Sequence, residues 1–152
     1  MANYLVYWKG FWDDVDDVIN VENDWSTRNQ SLYNKVKSGD NLWVVVSGGP
    51  SHQNEWGLLQ RIVVDAANPK PQRSKYGSFH IIGDTEKSQV FDPDSQGDFS
   101  ALLNKLQFDP AKPIVFEGRK IGQSIQSPRK LTEKDVILLT KYTKQLQAIP
   151  AA

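Results

Sequence analysis

Leu42-Trp43-Val44-Val45-Val46 is an unbroken apolar run between two turn signals, Lys37-Ser38-Gly39-Asp40-Asn41 before it and Ser47-Gly48-Gly49-Pro50-Ser51 after it. A run this short, rich in β-branched residues and fenced by Gly and Pro, predicts a strand buried on both faces. Gly39 suits the left-handed backbone that the preceding turn requires. From Trp56 to Asp65 the pattern roughly alternates. Trp56, Leu58, Ile62 and Val64 are expected on one side, and Gly57, Leu59, Arg61, Val63 and Asp65 on the other, with Gln60 interrupting. The reading is a long strand, partly solvated on one side and antiparallel to the first.

Working outward, Tyr4 to Lys9 reads as a strand from its aromatic and β-branched content. Trp12 to Val21 is acidic, with Val15, Val18 and Ile19 spaced for one face of a short helix. Ser26 and Thr27 are N-cap types ahead of a helical stretch from Arg28 to Val36. Ala66 to Lys75 is a basic, Pro-containing connection. Phe79 to Ile82, Val90-Phe91 and Pro113 to Phe116 are further short strands. Asp98 is placed to cap a helix carrying Leu102, Leu103 and Leu106. Thr132, with Asp135 three residues on, opens the last helix, whose packing face is Val136, Leu139, Tyr142 and Leu146. The fold expected is α+β: a sheet of about five or six strands curling into a small barrel, with peripheral helices.

Composition narrows the function. At 152 residues the chain reads as one domain spanning 1–152. It contains no Cys, which removes disulfides, Cys-ligated zinc and thiol nucleophiles together. No run is long and apolar enough to cross a membrane, and Met1-Ala2-Asn3-Tyr4 is not the start of a signal peptide, so a cytoplasmic protein is expected. Lys and Arg balance Asp and Glu at 18 each, which argues against strong non-specific nucleic-acid binding. The charge is unevenly placed, though, and could give a one-sided field in the folded chain. Met1 to Asp24 holds six acids against Lys9, and Lys112 to Lys134 holds six basic residues against Glu117 and Glu133.

Catalytic patterns are absent. His52 and His80 are the only imidazoles, and no nucleophile elbow, P-loop or zinc-protease motif occurs. The chain is therefore not expected to be an enzyme or to carry a cofactor or metal. The Asp13-Asp14-x-Asp16-Asp17 tract lacks the glycine and distal Glu of an EF-hand loop and equally fits a solvated helix face.

Tryptophan remains: Trp8, Trp12, Trp25, Trp43 and Trp56 all fall in the first 56 residues. Trp43, inside the apolar run, is a core residue. Trp8 and Trp56 are open between core and surface. Trp12 and Trp25 flank the acidic segment beside Asp, Ser and Thr, an arrangement suited to a planar ligand that needs both stacking and hydrogen bonds. As a purely structural element, Trp25 would staple the helix that follows.

Tyr4 to Phe11 is similar to a chromodomain strand, but the Trp-Glu-Pro segment that should follow is missing. A broader resemblance covers about residues 3 to 65. Trp25, then Arg28-Asn29, then Lys37-Ser38-Gly39-Asp40 before an apolar strand, and the glycine-containing Trp56-Gly57-Leu58-Leu59, resemble YTH and EVE domains of the PUA-like superfamily. Ile121 to Thr132 loosely resembles the end of PUA-like modules fused to restriction nucleases. The resemblance implies a small β-barrel that reads a modified or extruded base, modified DNA being favoured over RNA, with a fused or associated nuclease and no membrane. Trp25 becomes the stacking wall and Ser26 a hydrogen-bonding neighbour. The usual Asn of YTH pockets is missing after the first strand. Trp12 as a second wall, Asp13 or Asp14 as acceptor for an exocyclic amine, and Thr27 and Trp56 as further base contacts complete the expected site. Arg28, Arg61, Lys70, Arg73 and Lys75 are the expected phosphate contacts. The alternatives are a small-molecule or peptide binder on the same barrel, or a subunit whose Trp residues anchor an interface.

Overall fold

The structure is a computed structural model and describes residues 1–14, 21–47, 55–65, 77–96, 99–109 and 125–149. The strand expected at Pro113 to Phe116 and the Asp98 cap fall outside these residues. Strand β1 (Asn3–Tyr7) leads into a single helical turn α1 (Phe11–Asp14), strand β2 (Asp24–Thr27) and helix α2 (Gln30–Lys35). Strands β3 (Asn41–Ser47), β4 (Trp56–Val63), β5 (Phe79–Ile82) and β6 (Gln89–Val90) follow. A 3₁₀ turn (Pro93–Ser95), a short helix α3 (Ser100–Leu103), strand β7 (Arg129–Lys130) and helix α4 (Glu133–Thr143) complete the described chain. Five strands form a mixed sheet in the order β6-β4-β3-β1-β7, and β2 pairs with β5 in a second, two-stranded sheet. The fold is α+β. The described strands do not close into a barrel.

Burial on both faces explains the apolar run in β3. Leu42, Val44 and Val46 join one core cluster with Tyr4, Val6, Phe11, Leu32 and Ile81. Trp43 and Val45 join the other, with Leu5, Phe91, Phe99, Leu103 and Leu139. Helices α3 and α4 thus cover one face, and α1, α2 and the β2–β5 ribbon cover the other. β1 lies parallel to β3, Leu5 opposite Trp43. The buried Asp40 carboxylate anchors this pairing by accepting from the Ala2 amide at 2.8 Å and the Lys37 amide at 2.9 Å. Gly39, at φ +93°, makes the turn that allows it.

The alternation expected along β4 is corrected by a bulge. The ladder pairs Val44 with Gln60 but Val45 with Leu58, leaving Leu59 as the extra residue. Trp56 and Leu58 therefore face the α4 side, whereas Ile62 and Val64, of the same sequence parity, face the β2 side. Leu59 faces the β2 side as well. Gln60, beside Ile62, is wholly buried and donates to the Glu22 carbonyl at 3.2 Å, whereas Arg61 and Val63 on the other side are partly exposed, as expected.

The outer edge of β4 is closed by a succession of partners. The Phe99 amide donates to the Trp56 carbonyl, and β6 pairs with Gln60 and Arg61. Between them the Gln96 side chain substitutes for a strand, accepting from the Leu58 amide at 2.9 Å and donating to the Leu58 carbonyl at 2.6 Å. Tyr142 on α4 donates to the same Gln96 oxygen at 3.0 Å. Beyond β6, Val64 bridges Gly83, which links the five-stranded sheet to the β2–β5 ribbon.

Two helix starts are informative. Asn29, not Ser26 or Thr27, caps α2, accepting from the Leu32 amide at 2.9 Å. Ser26 and Thr27 lie in β2, because pairing with His80 and Phe79 holds them extended. Thr132 does cap α4 in a full capping box with Asp135. Asp135 is wholly buried and accepts from three backbone amides, Gln107 at 2.7 Å, Phe108 at 2.9 Å and Thr132 at 3.0 Å. This carboxylate grips a strained residue, since Phe108 has φ 61°, a conformation aromatic residues avoid. The Arg129 guanidinium sits over the Phe108 ring at 4.0 Å.

Candidate functional site

The ladder is interrupted where β1 ends. β1 stops pairing after Tyr7, with the Trp8 amide bonded to the Val45 carbonyl at 3.0 Å. β2 runs nearby but has no ladder with β1 and pairs with β5 alone among the described residues. A cleft of about 590 Å³ occupies this seam, within the roughly 300–1,000 Å³ of typical small-ligand sites. Val6 to Lys9 form one wall, Asp24 to Arg28 the other, and Gln126 and Pro128 close one end. Its position beyond the carboxyl end of a strand that runs parallel to its neighbour is a place where α/β sheets commonly hold ligands.

The cleft gathers Trp25, Ser26, Thr27 and Arg28, as the sequence suggests. Trp25 is half-buried and packs on the β2-side core. Its indole N–H is buried without a hydrogen-bond acceptor among the described residues, an unmet donor in the wall. The Thr27 hydroxyl is engaged locally, accepting from the Asn29 amide at 3.0 Å. Successive strand residues point to opposite faces, so Asp24 and Ser26 share the side where His80 stands. Ser26 Oγ lies 2.7 Å from His80 Nδ1.

Other expected contacts lie elsewhere. Trp8, not Trp12, is the second aromatic wall, edge-on to Trp25 with ring centroids 6.4 Å apart. Trp12 stands edge-on to Phe11 at 4.9 Å and does not line the cleft. Asp13 and Asp14 belong to α1, and the roles expected of their side chains fall outside the described residues. Trp56 is buried on the α4 side, its ring 5.0 Å from Tyr7, because the bulge assigns the start of β4 to that core. Arg61 likewise leaves the site: its guanidinium lies 5.9 Å over Trp43 and donates to the Lys87 carbonyl at 3.3 Å. Burial pulls its pKa down from the usual arginine value. Lys70, Arg73 and Lys75 fall outside the described residues.

Besides Trp8, two charged cleft residues escaped the sequence reading. Lys9 follows β1 as Arg28 follows β2, so each wall ends in an exposed cation. Asp24 supplies a carboxylate where Asp13 or Asp14 was expected. The signal for Asp24 was its place next to Trp25 in a β-compatible stretch. The signal for Lys9 was its place at a strand end.

No protein-family model matches this chain, and no curated protein shows significant similarity to it.

Desolvation, and secondarily the charge of Glu22, raise the Asp24 pKa above the usual carboxylate value, while His80 and a backbone hydrogen bond oppose the shift. A raised folded-state pKa means that the folded chain holds the proton more tightly than the unfolded chain does. Ionisation then costs stability, and that cost accrues as pH rises from the unfolded value, about 4, through the folded one. Asp24→Asn should therefore raise the melting temperature at pH 7.5, with the gain fading toward pH 4. An equal gain at both pH values would show that charge is not the cause.

Proposed function

We propose that this chain is a PUA-like reader module that holds a modified or flipped-out nucleobase, in DNA by preference, against Trp25 and Trp8. In this reading the curled sheet is a PUA-like barrel whose seam between β1 and β2 is the binding site. The observation that carries the proposal is the coincidence, in one cleft, of a half-buried Trp wall, a carboxylate and two strand-end cations. Stacking on an indole offsets the cost of extruding a base by about 1–3 kcal/mol. Asp24 accepts from an exocyclic amine, as carboxylates do from cytosine N4. Lys9 and Arg28 contact flanking phosphates, which position the strand without reading it. The module works in the cytoplasm, beside or fused to a nuclease that acts on what it finds.

Single- and double-stranded oligonucleotides carrying different methylated bases, titrated at about 50 and about 200 mM salt, test this. The expected result is preference for one modified base, with affinity falling as salt rises. Lys9→Glu with Arg28→Glu should weaken all oligonucleotides alike and flatten the salt dependence. Binding indifferent to salt, or to no oligonucleotide at all, would reject the reading.

One observation favours a second reading. β2 has no ladder partner on the edge away from β5 among the described residues, so an extended peptide adding to that edge would use the same cleft. Peptide binding without salt-dependent oligonucleotide binding would favour it.

A further inference from the structure

We propose that the solvent face of α4 is a second docking surface, which holds the sugar-phosphate backbone of the nucleic acid whose base enters the cleft. The choice of nucleic acid as partner draws on the base-site reading above. Lys134, Ile137, Lys141 and Lys144 are all exposed. They follow one another at intervals of three, four and three residues, so they form one stripe along the helix. At 1.5 Å of rise per residue the stripe is about 15 Å long.

The lysines are not explained by the stability of the helix. Surface helices gain from a carboxylate three or four residues from each lysine, where the two side chains meet. No lysine of the stripe has one at either spacing in either direction. Lys141 and Lys144 stand three apart instead and repel each other. Both suit the C-terminal end, where the helix dipole is negative, but Lys134 does not. It lies in the first turn, at the positive end, where a cation is disfavoured. Glu133 precedes it but points about 100° away around the helix. Asp135 is buried and committed to backbone amides. Asp109 and Glu133 share a hollow with Lys130 where the stripe begins, and the sequence holds no acid after Asp135. An anion laid along the stripe relieves this uncompensated charge.

The chemistry of the stripe selects among anionic partners. A helix that lies on a membrane buries a broad apolar face in it. Here Leu139 is buried and Val136, Tyr142 and Leu146 pack against the α4-side core, and Ile137 is the one large apolar residue of α4 that is exposed. Lysine is also depleted from the desolvated centres of protein interfaces. Phosphates need no such centre, because lysine neutralises them at the surface and releases their counterions. The cleft is within reach. Pro128 helps to close its end, and Lys134 follows six residues later, no more than about 22 Å of extended chain. At about 3.4 Å of rise per nucleotide that gap is about six nucleotides.

Lys134→Gln, Lys141→Gln and Lys144→Gln, made together, test the surface. Glutamine is a good helix former, so the melting temperature should hold or rise as the repulsion is removed. Affinity for a single-stranded oligothymidine of about 20 nucleotides is measured from about 50 to about 200 mM salt. Each phosphate contact on a single strand adds about 0.7 to the logarithmic salt slope, so the triple variant should lose about 2 from it. Its gain in affinity from the higher salt to the lower should be roughly 20-fold smaller than that of the unaltered protein. Arginine at the same three positions should keep the slope.

An unchanged slope in the triple variant overturns the proposal. So does binding of the unaltered protein to phosphatidylserine vesicles that the three substitutions abolish, which would make the stripe a membrane contact. A clear preference for one modified base with an unchanged slope removes the α4 surface and leaves the base site standing. A flattened slope in a protein without preference among modified bases removes the base site and leaves α4 as a surface for the backbone.

Discussion

Trp43→Ala should lower the free energy of unfolding by about 3–5 kcal/mol, the cost of truncating a large aromatic residue in a close-packed core. Trp43 is only 1% exposed. It packs among the residues between the sheet and α4, donates its indole N–H to Asn3 at 3.1 Å and lies under the Arg61 guanidinium. Removing the ring leaves a cavity, takes one of two donors from the Asn3 carbonyl, which still accepts from Asn41, and strips a half-buried guanidinium of its aromatic support. Trp25→Ala should behave differently. The ring is half-buried, makes no hydrogen bond through its N–H among the described residues and lines the cleft. Its loss should cost less stability, and should weaken oligonucleotide binding by about 1–3 kcal/mol through lost stacking. Thermal melts and titrations of both variants make the comparison. If Trp25→Ala melts as low as Trp43→Ala, Trp25 serves the core and the reader proposal loses its aromatic wall.

Asp135→Ala should destabilise by a similar amount, about 3–5 kcal/mol, although it removes little volume. Hydrogen bonds to a charged group contribute about 1.5–3 kcal/mol each, and buried donors left unmet add a desolvation cost. Three amides lose their acceptor together, and one of them belongs to Phe108 in its left-handed conformation. Asp135→Asn should recover part of the loss, because one amide oxygen can still serve the two amides that now share Oδ2. Thr132→Ala, which removes only the hydroxyl half of the capping box, should cost about 1 kcal/mol. Urea unfolding midpoints rank the three variants. An Asp135→Ala midpoint equal to that of Thr132→Ala would mean that the carboxylate is only a helix cap.

Strands β3, β4 and β5 and the start of α4 were legible because their signals are local: an apolar run, an alternation, a Thr and Asp three residues apart. The bulge at Leu59 was not, because an inserted residue leaves the composition of the strand unchanged while exchanging the faces of everything after it. That one residue separates Trp56 from the face carrying Ile62, and turns Arg61 over Trp43. The cleft was half legible. Trp25 and Arg28 could be singled out by chemistry beside a turn and a strand. Trp8, Lys9 and His80 could not, because their roles depend on which strands meet. The parallel pairing of β1 with β3 places the end of β1 beside β2, and the β2–β5 ladder sets His80 against Ser26.

That parallel pairing also bears on the order in which the molecule assembles. Everything between Trp8 and Asp40, including α1, β2 and α2, is the connection that a parallel pair requires. β3 and β4, neighbours in sequence and antiparallel, can form their ladder early, whereas β1 must wait for a long loop to close before its pairing is rewarded. The wall carrying Trp25 and Ser26 is held to the rest of the described chain by β5, whose end is bridged and hydrogen-bonded to the end of β4 at Val63, Val64 and Asp65, by the Gln60 bond to the Glu22 carbonyl, and by packing on one core. Opening of that wall with β1, β3 and β4 still paired would expose less of the chain than global unfolding does.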